Sequence, residues 1–231
     1  AGMDGYTYRC VVDNSACSSV NTNSATLTVQ TSPSISSSPS GTTVCVGDNP
    51  SFSVTASGSS LTYQWQEDKG GGYANISNGG IYGGATTATL TLTSVTAGED
   101  GHKYRCVVSG ACTPSQTSSD ATLTVQTAAS ISSHPSNSTI CAGNNTNFSV
   151  TASGSSLTYQ WQVNTGSGFS NISNGGVYSN ATTATLTITS ATAGMDGYTY
   201  RCVVDNSACS SVNTNSATLT VQTSPSISSS P

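Results

Sequence analysis

Residues 1–39 recur without a change as residues 193–231, so the chain is laid out on a period of 192 residues. Whatever unit this sequence folds into must be able to follow itself, because a fixed period identifies the structural unit and builds stability by repetition. A shorter period of about 96 residues lies inside the long one: the segment from Pro39 through TTVCVGDNPSFSVTASGSSLTYQWQ is matched by the segment from Pro135 through STICAGNNTNFSVTASGSSLTYQWQ. Two kinds of module therefore alternate. Residues 1–30 read as the C-terminal part of one module, 31–126 and 127–222 as complete modules, and 223–231 as the first strand of another. On this reading the parent protein is longer than the window.

Each complete module is long enough to bury its own core. In the first, the segments TTVCV, SFSVTAS, LTYQWQ, TATLTLTSV, HKYRCVV and DATLTV alternate small polar with apolar residues and are separated by clusters of Gly, Pro, Asn and Asp. Period two with such punctuation predicts half-buried antiparallel strands. Phe52, Val54 and Ala56 share one face, as do Leu61, Tyr63 and Trp65, then Leu90 and Leu92, then Tyr104, Cys106 and Val108. Such faces close into a two-sheet core. The predicted class is all-β.

The residues at the key positions resemble the immunoglobulin-like family, in particular the tandem modules of bacterial extracellular surface and filament proteins. The resemblance is carried by Trp65 on the third strand, by the run Asp100-Gly-His-Lys-Tyr104-Arg-Cys106, similar to a tyrosine corner, and by the closing TLTV of Thr122 to Val125. The second module repeats these as Trp161, Asp196, Tyr200, Cys202 and Thr218 to Val221. The resemblance implies tandem antiparallel β-sandwiches with Trp65, Trp161, Tyr104 and Tyr200 in their cores. One departure is informative: the inter-sheet cysteine of the second strand is replaced by Val54 and Val150. The usual disulfide is therefore excluded, and Cys10, Cys106 and Cys202 are expected as core thiols that behave as small apolar groups.

Two cysteine positions per module remain: one on the first strand (Cys45, Cys141) and one in the hairpin after the penultimate strand (Cys17, Cys112, Cys209). By analogy with related bacterial modules, the resemblance implies within-module pairing, Cys45 with Cys112 and Cys141 with Cys209. Geometry offers an alternative. In such a sandwich these positions lie toward opposite poles, whereas a disulfide needs Cα atoms roughly 4.4–6.8 Å apart. The same positions would then meet across the junction between successive modules or chains.

An activity shared by the array should use residues present in both modules. His102 aligns with Tyr198 and His134 with Ser230, so no Ser-His-Asp or Cys-His arrangement recurs, and the cysteines lack zinc-like spacing. No enzymatic activity, metal or cofactor is expected. Of Asp48, Glu67, Asp68, Glu99 and Asp100, only Asp100 has an acidic counterpart, Asp196; these acids read as a corner cap and solvated turns rather than a calcium site. Threonine ladders such as Thr89-x-Thr91-x-Thr93 read as outward strand faces. Asn75, Asn137, Asn144, Asn147, Asn171 and Asn180 each begin a glycosylation sequon.

Five basic residues against ten acidic ones cannot form the positive surface that nucleic acid demands, and no apolar run is long enough for a membrane span. Eight cysteines in such a chain point to an oxidising, extracellular or cell-surface setting. The expected function is a structural filament or stalk whose partner is itself, through adjacent modules or like chains. The alternative is an adhesin holding glycans or surface proteins through Tyr73, Tyr82, Phe169 and Tyr178, which lie in the aromatic, variable middle of the modules.

Overall fold

The computed structural model describes residues 2–226; most of the predicted first strand at 223–231 lies outside them. Among the described residues all regular structure is β apart from two 3₁₀ turns, Ala97–Glu99 and Ala193–Met195. Two compact units emerge. One holds residues up to 42, 49–95 and 101–124, the other residues 43–48, 96–100 and those from 125 onward.

The second unit contains the whole of the second module. Its larger sheet runs Ser138–Cys141, Ala217–Gln222, Thr199–Asp205, Thr158–Asn164, Phe169–Asn171, with Val212–Asn213 also pairing Thr199–Asp205. The first pair is parallel and the others antiparallel. A three-stranded sheet of Thr146–Ser149, Thr185–Ile188 and Tyr178–Ser179 and a pair of Ser130–Ser133 with Thr151–Ser153 complete the fold. The period-two alternation sends Phe148, Val150, Trp161, Leu186, Ile188, Tyr200, Cys202, Val204 and Leu219 into one buried cluster. Each fully buried residue of Leu or Phe size contributes about 1.5–3 kcal/mol, and the Phe148 ring stacks on Tyr200 with centroids 4.9 Å apart. The Trp161 indole N–H, too polar to bury unpaired, donates to the Thr183 carbonyl at 2.9 Å.

The first unit repeats this plan. Strands Tyr73–Asn75, Thr62–Asp68 and Lys103–Ser109 are neighbours in one sheet, and Ser51–Ser53, Thr89–Leu92 and Tyr82–Gly83 form the other. Phe52 stacks on Tyr104 at 4.9 Å, and Trp65 donates to the Thr87 carbonyl at 2.9 Å. Val54, Trp65, Tyr104 and Cys106 are buried. Burial pushes the Cys106 and Cys202 thiols up to about 11, because a thiolate has no solvation there.

Residues 2–30 separate local from tertiary structure. They adopt the pairing of their identical copy: Thr7 faces Thr26 and Tyr8 faces Ala25, as Thr199 faces Thr218 and Tyr200 faces Ala217. The Cys10 N–H donates to Thr22 Oγ1 at 2.9 Å, as Cys202 N–H does to Thr214. Yet Tyr8 is 47% exposed where Tyr200 is fully buried. Cys10, expected in a core, is exposed, because residues 2–30 supply no counterpart of the Phe148, Trp161 and Leu186 strands that cover Cys202.

Candidate functional site

The tyrosine-corner run behaves differently from the expected pattern. Asp100 and Asp196 do cap the final strands: their Oδ1 atoms accept the Val125 and Val221 N–H groups at 2.7 and 2.8 Å. The tyrosine hydroxyls, however, turn to side chains. Tyr104 donates to Glu67 Oε1 at 3.0 Å, and Tyr200 shares a 3.2 Å bond with the Tyr178 hydroxyl.

Glu67 is no solvated turn residue. It follows Tyr63 and Trp65 at inward parity on strand Thr62–Asp68 and is 6% exposed. Its carboxylate also accepts from Tyr82 at 2.6 Å, meets His102 Nδ1 at 2.8 Å, and lies 3.3 Å from Lys69 Nζ. Burial pushes its pKa up, but the bonds from Tyr82, His102, Tyr104 and Lys69 prevail and hold it below 4.5. In the second module Val163 and Tyr198 stand at the positions of Glu67 and His102, so this polar cluster belongs to one kind of module only.

The four aromatics through which the alternative reading would hold a ligand are half-buried and engaged. Arg105 lies 3.6 Å over the Tyr73 ring and Arg201 4.1 Å over Phe169, cation–π contacts braced by Arg Nε bonds to Gln66 and Gln162. Burial, then Asp120, push Tyr73 up to about 12. Tyr82 and Tyr178 spend their hydroxyls on Glu67 and Tyr200. The aromatic region therefore packs along the sheet edge.

The cysteines are more telling. Cys45 bonds to Cys209, with Cα atoms 5.2 Å apart and 164 residues between them in sequence; both fall in the second compact unit. This replaces the within-module pairs. The reason lies in strand register. Cys141 is set beside Gln222 by the parallel pairing, and Gln222 runs off the start of strand Thr199–Asp205, because Thr218 already faces Thr199. Cys209 follows the other end of that strand. The seven-residue strand separates the two cysteines by about 20 Å, far beyond disulfide reach.

What surrounds the bond is built from both sequence modules. The Val46 N–H donates to the Gln126 carbonyl at 2.9 Å, and Asp48 Oδ2 accepts the Cys45 N–H at 2.8 Å. On the other side, Asn206 is 3% exposed; its Nδ2 donates to the Thr127 carbonyl at 2.8 Å while its Oδ1 accepts the Cys209 N–H at 2.7 Å. One asparagine thus holds the hairpin cysteine against the segment that leaves the preceding module. The remaining candidates, Cys17, Cys112 and Cys141, are free, with Cys17 and Cys141 exposed and Cys112 half-buried. No group of three or more metal-ligating side chains gathers among the described residues, and no helix there is long and apolar enough to cross a membrane.

Residues 32–110 match the family model of the immunoglobulin domain, and residues 130–223 match that of a domain of unknown function (DUF8696). No curated protein matches the sequence. Among solved structures the chain is similar to extracellular domains 3–5 of Drosophila OTK, at 18% identity and TM-score 0.61, covering 94% of this chain and 70% of that one. Similar too are immunoglobulin domains 1–4 of Sidekick-1, at 17% identity and TM-score 0.62 over 95% and 59% of the two chains. An I-band fragment of titin follows the same pattern, at 18% identity and TM-score 0.57 over 94% and 74%. At these identities the likeness is one of fold.

Proposed function

We propose, on the premise that this chain is a tandem of immunoglobulin-like domains, that it is a structural protein of an extracellular or cell-surface filament or stalk, and of a bacterial cell as the family resemblance implies. The observation that carries this reading is the Cys45–Cys209 bond, which ties one sequence module to the next. A covalent tie between consecutive modules resists their separation under load. The exact recurrence of 39 residues supports it, since a regular assembly asks every period to make the same contacts. A low charge density, 6% of residues, lowers repulsion between neighbouring copies. The adhesin reading would require Tyr73, Tyr82, Phe169 and Tyr178 to leave the partners that hold them.

Electron microscopy of the native material tests the proposal. Two modules placed end to end would give an axial repeat of about 80–90 Å from strand rise and module size. Ordered filaments with that repeat support a structural role. Separate flexible strings, together with glycan binding abolished by Tyr73→Ala and Tyr178→Ala, would replace it with the adhesin.

A further inference from the structure

We infer that Cys141 and Cys112 are the two halves of a second disulfide staple, formed between one copy of the 192-residue period and the next copy. This rests on the array reading above and deepens it by naming the partner atoms.

The first support is that Cys141 sits in a copy of the bonded Cys45 site. The Ala142 N–H donates to the Gln222 carbonyl at 2.9 Å, as Val46 N–H does to Gln126, and the Asn144 N–H returns to the Cys141 carbonyl at 3.1 Å, as Asp48 N–H does to Cys45. Cys141 therefore stands on the same backbone frame, exposed and unbonded, with Asn144 at the position from which Asp48 accepts the Cys45 N–H. The second support is register. Cys45, on a first strand, bonds to the hairpin cysteine of the following module. Applied to Cys141, the same rule selects the hairpin cysteine of the module after residue 222, and the period makes that a Cys112. Spacing agrees: a Cys112 one period on lies 163 residues after Cys141, against 164 for the bonded pair.

Closure converts two thiols into one disulfide and releases two protons and two electrons. A disulfide-class oxidant such as glutathione disulfide takes them up. One cysteine thiolate attacks the oxidant and expels the first glutathione thiolate; the second cysteine thiolate attacks the mixed disulfide and expels the other.

The test is disulfide mapping of native material, with N-ethylmaleimide present before and throughout denaturation so that the buried Cys106 and Cys202 thiols are blocked as they open, followed by chymotryptic digestion without reductant. The expected result is two linked peptide pairs in equal amounts, Cys45 with Cys209 and Cys112 with Cys141. Cys112 or Cys141 recovered as the maleimide adduct, or Cys45 linked to Cys112, overturns the inference. Electrophoresis with and without reductant distinguishes the source of the second copy: a single band that reductant only slows places both copies in one polypeptide, and a ladder collapsed by reductant places them in separate chains. Ordered filaments bearing free Cys141 would sink the staple alone, whereas intact staples without filaments would sink the structural reading.

Discussion

Replacing Glu67 by alanine or by valine should have very different costs, because the second module already shows how this fold manages without the carboxylate. In Glu67→Ala the Tyr104 hydroxyl, in a fully buried side chain, loses the acceptor it holds at 3.0 Å. Losing a hydrogen bond to a charged acceptor costs about 1.5–3 kcal/mol, and the one deleted methylene adds about 0.8 kcal/mol. The Lys69 contact adds little, since Lys69 is 65% exposed and such pairs are worth about 0–1 kcal/mol. In Glu67→Val the branched side chain fills the space that alanine leaves and keeps Tyr82 and Tyr104 packed against each other, as Tyr178 and Tyr200 meet at 3.2 Å in the module that carries Val163. The net loss falls to about 1 kcal/mol. For a domain of this size each kcal/mol shifts the melting midpoint by about 4–8 °C, so a loss of about 3 kcal/mol in the alanine variant is about 12–24 °C. Trp65 fluorescence in a Trp161→Phe background reports the Glu67 module selectively. The acid limb gives a second readout. A folded pKa below 4.5 means that the carboxylate's stabilisation is complete above that value and is lost as pH falls through the folded pKa. Glu67→Val should therefore lose less stability than wild type on acidification below pH 4.5. If the alanine and valine variants melt together, or if valine keeps the wild-type acid limb, the argument from the Tyr178–Tyr200 pair is wrong.

Three further outcomes follow from the geometry. Asp196→Ala removes the acceptor of the Val221 N–H and should destabilise the second module by about 1–2 kcal/mol, read by Trp161 fluorescence in urea, with Asp196→Asn recovering part of the loss. Gly154 has φ of +145°, and a Cβ there would lie 2.9 Å from both the Ala128 carbonyl oxygen and Leu157 Cδ2; Gly154→Ala should cost about 2–3 kcal/mol, and an unchanged midpoint would show that the turn relaxes freely. In the isolated 231-residue chain, maleimide at pH 8 should label Cys10, Cys17 and Cys141 at once and Cys106 and Cys202 only on unfolding, because the latter pair is buried with thiols raised to about 11; prompt labelling of Cys202 would contradict that core.

Much of this architecture is legible in the sequence, because side-chain parity on a strand is a local property. Alternation places Phe148, Trp161, Tyr200 and Leu219 inside before any tertiary contact is known, and residues 2–30 keep their strand pairing even without a covering sheet. Burial itself is not local, which is why Cys10 and Cys202 share a sequence and differ in environment. Disulfide partnership is less local still. Cys45 and Cys209 are joined by the order of modules along the chain, a relation that no pattern within one module encodes. Glu67 was within reach of the sequence: a carboxylate two residues after Trp65 on the same strand has inward parity, which demands partners. The identity of those partners, His102 and Tyr82, required the fold.

The arginines held over aromatic rings carry a consequence for digestion. A trypsin-like enzyme needs the basic side chain free to enter a pocket and the flanking backbone free to lie extended along its own strand. Arg105 and Arg201 offer neither, for their guanidinium groups rest on Tyr73 and Phe169 and their backbones belong to the paired strands Lys103–Ser109 and Thr199–Asp205. Lys103 shares the first of these strands. Of the five basic residues, Arg9 and Lys69 remain, and Lys69 lies in the turn after strand Thr62–Asp68. A cut at that turn falls between two strands already bonded to each other, so the folded domain would be nicked yet hold together.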